Sequence, residues 1–160
     1  MSDRVPPRAL TPRTHLVDTL LAGEAGMVGV FTHELADGSV LLIEAGSGAT
    51  TDTVIQGLND LGIQPSDVRA LVVTHVHLAH AAGAGHLAAR SDAPVYVHPL
   101  GARHLANSTR LWNSAERIYG DAMQRLWGRM DPIPEDRLRP LEDGRPLELG
   151  GSRFDVLHTP

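Results

Sequence analysis

A chain of 160 residues is long enough to bury one good core. Its hydrophobic share of 42%, charged share of 21% and net charge of −5 are ordinary for a soluble globular protein, and its scattered arginines give no footprint for nucleic acid. With no cysteine it can form neither disulfides nor a thiolate metal site, and no apolar run approaches the ~20 residues that span a bilayer. The start, Met1 to Pro7, lacks the apolar core of a signal peptide, so the cytoplasm is the expected compartment and no membrane partner is expected.

Residues 1–14 are rich in proline and arginine and read as an irregular arm. His15 to Leu21 is a candidate strand and Met27 to Glu34 a second, which Asp37-Gly38 turns back into a third over Val40 to Glu44. The loop from Gly46 enters a helix with Thr50 or Thr51 as N-cap; Val54, Ile55, Leu58 and Leu61 keep helical spacing and Gly62 ends the run. Ala70 to Val73 is a short apolar run with the character of a buried strand. Thr74-His75-Val76-His77-Leu78-Ala79-His80 follows, and then small residues lead into a short helix near 84–90. Ala93 to Val97 is a further strand ending at His98.

The histidine segment is the most informative part. Imidazoles two apart in extended backbone point to the same side, and a third, three residues on where the chain turns, can close around the same point. Neutral imidazole is the commonest zinc ligand, and three of them leave a position open for water. Nine histidines invite some chance clustering, but three within six residues between a buried strand and a glycine-rich turn favour a metal origin. The alternation of strand and helix from Val40 to Val97 predicts an α/β layer with parallel neighbours, whose ligands gather at the carboxyl ends of the strands. Glu44, His75 and His98 each stand at such an end. Glu44 reads as a residue that orients a ligating imidazole or as a solvent-facing strand end, and His98 as a site residue or an ordinary strand exit. His86 reads as surface, His15, His33 and His104 as structural, and Thr74 as bonding backbone at the turn.

Between Gly101 and Pro140 lie both tryptophans, and Leu111, Ala115, Ile118, Ala122, Leu126 and Met130 recur at helical steps. One or two helices are expected, packed on the sheet or capping the metal site with their aromatics. Asp131-Pro132-Ile133-Pro134 ends them. Leu141 to Gly151 reads as a strand and a Gly-Gly turn, with a return strand from Arg153.

Three segments together resemble the metallo-β-lactamase superfamily. Thr74 to His80 is similar to its His-x-His-x-Asp-His signature after a strand ending in Thr: His75, His77 and His80 match, Gly83 fits the turn that follows, and Ala79 stands where the family has aspartate. Val40 to Gly46 resembles its earlier strand ending in an acidic residue and glycine, with Glu44 in place of the more usual Asp. Phe154 to Pro160 resembles the strand before a Thr-Pro-Gly-His turn whose His is the family's next ligand, so His158 is not expected to be that ligand.

The resemblance, from about Gly26 to Pro160, implies an α/β fold: half of a four-layer αββα sandwich. Residues 1–160 would be the N-terminal part of one domain, 101–140 its helical cap or insertion, with the remainder after 160. It implies a metal-dependent hydrolase acting on a small-molecule ester, thioester, lactone, amide or phosphodiester. Zinc, two ions in an intact relative, would be held in part by His75, His77 and His80. The family's aspartate helps hold a second metal and orients the attacking water. A methyl at 79 does neither, and further ligands would lie beyond Pro160, so little or no hydrolysis is expected of this chain. The alternatives are a non-catalytic self-associating scaffold and a single-metal-binding module. A half sandwich leaves one sheet face bare, so a partner is expected: the complementary C-terminal half, or a second copy in a homodimer.

Overall fold

The computed structural model describes residues 5–160. Seven strands form the main sheet in sequence order: β1 (Arg8–Thr11), β2 (Thr14–Asp18), β3 (Gly29–Glu34), β4 (Val40–Ile43), β5 (Val68–Val73), β6 (Val95–Val97) and β7 (Leu138–Pro140). β1 to β4 pair antiparallel, and from β4 onward neighbours are parallel. The change has a local cause. Asp37-Gly38 closes β3 onto β4: Gly38 has φ +84°, and the Asp37 carboxylate accepts from Ser39 N–H and Oγ–H. After β4 the chain becomes helical over α1 (Thr51–Asp60), which supplies the crossover that a parallel neighbour requires.

Two short helices, α2 (Leu78–Ala81) and α3 (Ala84–Ser91), connect β5 to β6. Three more, α4 (Pro99–Ala106), α5 (Thr109–Tyr119) and α6 (Met123–Trp127), connect β6 to β7. The stretch 101–140 is therefore an enlarged crossover that ends in a sheet strand, where helices alone are expected from its pattern. The expected arm is likewise corrected in part, since Arg8–Thr11 pairs with β2 while residues 1–4 lie outside the described residues. β1 is exposed throughout and holds its place by backbone pairing, so it leaves no apolar signature. β2 stops at Asp18, short of the expected end, because the Asp18 carboxylate accepts from Leu20 and Gly26 N–H and turns the chain.

All the larger helices lie on one side. Leu42, Leu71, Val73, Val95 and Val97 meet Val54, Leu58, Leu87, Leu105 and Trp127 in one continuous core. The register between β4 and β5 pairs Val40 with Val68 and Leu41 with Ala70, skipping Arg69; this sends Leu71 and Val73 to the helix side and Ala70 and Val72 to the other. That other side is not bare, as a half sandwich was expected to leave it. A hairpin of β8 (Leu147–Leu149) and β9 (Ser152–Phe154) packs Leu149 with Leu35, Leu41 and Ala70, while Ile43, Val72 and Tyr96 stay half-buried. Among the described residues no helix is long and apolar enough to cross a membrane.

Candidate metal centre

β4 and β5 are parallel neighbours, so Glu44, just after β4, stands beside Thr74 and His75, just after β5. Glu44 has φ +69°, a left-handed conformation uncommon outside glycine, and such strain gathers at functional sites. Its neighbours are laced to the histidine turn: Glu44 N–H donates to the Val72 carbonyl at 2.8 Å, Ala45 N–H to His80 O at 2.8 Å, and Gly83 N–H to Gly46 O at 3.0 Å. Gly83 is what allows this approach, because a Cβ there would lie 2.4 Å from the Ala45 carbonyl oxygen.

Within this frame, Glu44 Oε1 accepts from the Thr74 hydroxyl and from Thr74 N–H at 3.3 Å. The same hydroxyl lies 2.9 Å from His75 Nδ1. A hydroxyl has one proton to give, and the carboxylate takes it; His75 therefore carries its own proton on Nδ1 and keeps a free lone pair on Nε2. Glu44 Oε2 lies 3.3 Å from His80 Nδ1, and although both atoms are buried neither makes an aligned hydrogen bond. The His75 ring packs between the other two, its centroid 4.1 Å from that of His80 and 4.8 Å from that of His77. Donor atoms of Glu44, His75 and His80 lie within 4.8 Å of one another. His77 flanks this set through His75.

The electrostatics favour a cation. Burial pushes the Glu44 carboxyl up, against the two Thr74 hydrogen bonds that pull it down. Burial also pulls His75 and His80 down, with added repulsion from His80 on His75 and from His77 on both. Neutral imidazoles and a buried carboxylate with unpartnered atoms are a donor set that a divalent metal satisfies, so the residues fit one.

The other sequence candidates lie outside the donor set, although His98 lines the cleft that begins at Thr74 and His75. His98 Nδ1 accepts from Leu100 N–H at 3.2 Å as the cap of α4, and its ring stacks on His158 at 4.6 Å. His86 ties α3 to the far end of the helical stretch, with Nε2 2.9 Å from the Arg129 carbonyl and Nδ1 3.3 Å from the Asp131 carboxylate. Thr74 was expected to bond backbone; its side chain instead joins Glu44 to His75. The signal for that role was a threonine before the first histidine, on the strand next to one ending in an acid.

The cluster lies between two clefts. One, of about 450 Å³, runs from His77, Ala79 and His80 to α5 and α6. The other, of about 420 Å³, runs from Thr74 and His75 beneath the hairpin and the C-terminal tail. Ala79 places a methyl in the wall of the first, where the family signature has a carboxylate.

A profile described as the metallo-beta-lactamase superfamily matches residues 17–160. Exodeoxyribonuclease YycJ of Bacillus anthracis is 32% identical over 98 residues, covering 61% of this chain and 32% of its own. MEM-A1, a subclass B3 metallo-β-lactamase from a soil metagenome library, shares the fold with a TM-score of 0.76 at 23% identity, over 99% of this chain and 54% of its own. Native FEZ-1 metallo-β-lactamase from Legionella gormanii gives 0.74 at 19% identity, over 100% and 55%. The chain thus spans about a third of the curated relative and about half of each solved structure.

Proposed function

Since this chain belongs to the metallo-β-lactamase superfamily, we propose that the cluster at the ends of β4 and β5 is the metal-binding share of a hydrolase site. The observation that carries this reading is the convergence of Glu44, His75 and His80, with Glu44 Oε2 and His80 Nδ1 buried and lacking aligned hydrogen bonds. His75 and His80 are the ligands and His77 adds a third imidazole from the same turn. Glu44 is the positioning residue: its Oε1 is committed to Thr74, and its Oε2, 3.3 Å from His80 Nδ1 without an aligned bond, is placed to take the Nδ1–H once the ring turns its Nε2 to a metal, the arrangement that fixes ligating imidazoles. The metal in this reading is zinc, which suits an imidazole set without thiolates and, when bound, lowers the pKa of a water and polarises the scissile carbonyl or phosphoryl.

Ala79 supplies no donor, which supports one metal per chain and weak hydrolysis at most. The solved relatives are about twice as long, so the remaining donors come from the complementary half or a second copy. Zinc titration by calorimetry, with elemental analysis, tests the reading. One zinc per chain is expected, lost when His75→Ala and His80→Ala are combined. Two zinc ions per chain contradict the role given to Ala79, and none contradicts the site.

The relative named an exodeoxyribonuclease brings in a second reading, phosphodiester hydrolysis. Against it stand the net charge of −5 and a cleft beside the cluster that no lysine or arginine lines among the described residues.

A further inference from the structure

The geometry points to a neutral acyl group, seated on α5 and α6, as the occupant of the cleft beside His77 and His80. This rests on the hydrolase reading and names its substrate class: esters, thioesters or amides with a medium-length apolar acyl chain.

The cleft, about 450 Å³, is of the size small-molecule sites take. Its far wall is Leu111, Ala115, Ile118, Tyr119 and Trp127, with Tyr119 edge-on to Trp127 at 5.1 Å. Leu111, Ala115 and Ile118 follow one another at steps of four and three, so α5 turns a single apolar stripe to the cleft. Its arginines lie off that stripe, and Arg117 is folded back onto the Asn113 carbonyl. Ile118 is 76% exposed and Tyr119 40%, apolar surface left open next to a cluster of ligand residues.

Among the described residues no lysine, arginine, aspartate or glutamate lines this space; Ser114, the Tyr119 hydroxyl, the buried and unpartnered indole N–H of Trp127 and the imidazoles are its polar groups. An anion entering it leaves water and meets no fixed cationic side chain, a heavy desolvation cost. An alkyl chain entering it gains for every methylene removed from water. The chemistry of the walls therefore selects charge and length together, with the carbonyl end toward the histidines.

The test is binding of linear N-methylalkanamides, from butanamide to decanamide, to the metal-free chain by calorimetry and tryptophan fluorescence. Alkanoates of equal length are the charged comparison. Kd should fall about fourfold per methylene, which is about 0.8 kcal/mol each, until the cleft is full. Alkanoates should bind at least about tenfold more weakly. Ile118→Asp, at an exposed position that the fold does not need, should weaken the amides about tenfold and leave zinc affinity unchanged. Ala115→Phe should fill the cleft and abolish binding. No dependence on length, alkanoates binding as well as amides, or an Ile118→Asp variant that binds amides normally would each overturn the inference. Zinc binding without amide binding fells this inference alone; amide binding without zinc binding fells the metal reading alone.

Discussion

On the helix side of the main sheet, Leu42, Leu71, Val73, Val95 and Val97 are buried to 1% exposure or less, while on the hairpin side Ile43, Val72 and Tyr96, from the same strands, stay half-buried. Strands β4 to β6 run parallel and are apolar on both faces, as such strands are when both are to be covered. Helices α1 to α6 close one face. A short hairpin closes only a patch of the other, around Leu41 and Ala70. The candidate metal centre sits at the strand ends where the two faces meet. The helix side holds its donors in register, and a cleft reaches the cluster on each face, one towards α5 and α6 and one beneath the hairpin.

The largest effect should come from the closed face. Leu71→Ala opens a cavity where helices and sheet meet and should cost about 3 kcal/mol in urea denaturation; Val72→Ala, its half-buried neighbour, should cost about 1 kcal/mol. Equal losses would mean that the two faces are equally closed, and the comparison would fail.

Next comes the seam between the β4 loop and the histidine turn. Gly83→Ala places a methyl 2.4 Å from the Ala45 carbonyl oxygen, so the loop must retreat from the turn. A destabilisation of about 2 kcal/mol is expected, within the range for overpacking. Because Glu44 moves with that loop, zinc affinity should fall too, and a variant with parent-like zinc affinity would show that the seam does not position the ligands.

Much of this seam was legible beforehand, and for a physical reason. Ligands need particular residue types at particular spacings, so His75, His77, His80 and Gly83 announce themselves, as does Glu44 at a strand end. Thr74 was misjudged because its partner is thirty positions away on β4, and spacing along one segment carries no information about a neighbour across a sheet. β1 and the β7 strand Leu138–Pro140 escaped for a related reason. Both join the sheet at its edges through backbone pairing, with mostly exposed side chains and a proline in one of them, so neither shows strand periodicity. The partly roofed second face was also hidden, since the hairpin's contacts with Leu35 and Leu41 lie over a hundred residues apart in the chain.

A smaller effect, with a defined sign, should follow from Glu44→Gln. Burial raises the Glu44 carboxyl from its ordinary value, so the folded chain holds that proton more tightly than the unfolded chain does. As pH rises from the ordinary value through the raised one, the unfolded chain ionises first and the metal-free protein loses stability. His75 and His80 act oppositely: burial lowers them, so stability is lost as pH falls below the ordinary histidine value of about 6.5, where the unfolded chain takes up protons first. Glu44→Gln removes the first slope and leaves the second. Melting temperature of the metal-free variant should then rise steadily from acid to neutral pH and exceed the parent's at pH 7, while zinc affinity drops about 10- to 100-fold. A variant with unchanged zinc affinity would deny Glu44 its positioning role.

The smallest effect on stability, and the most direct question about the open face, belongs to Tyr96→Lys. Tyr96 is half-buried on the hairpin side, on the strand next to the sheet's edge and beside Val72. A homodimer stacked through this face would cover Ile43, Val72 and Tyr96 and recover roughly 25 cal/mol for each Å² of apolar surface. Closed twofold pairing is the commonest symmetry that does so, and a stable version should bury at least about 1,600 Å² in total. Light scattering of the parent chain at micromolar concentration should then give twice the chain mass. Lysine at 96 places two like charges near the twofold and should return the mass to that of one chain, while denaturation of the monomer shifts by no more than about 0.5 kcal/mol. A parent chain that is already monomeric would remove the second copy from this face and leave the complementary half as its cover; a dimer that survives Tyr96→Lys would place the contact elsewhere on the molecule.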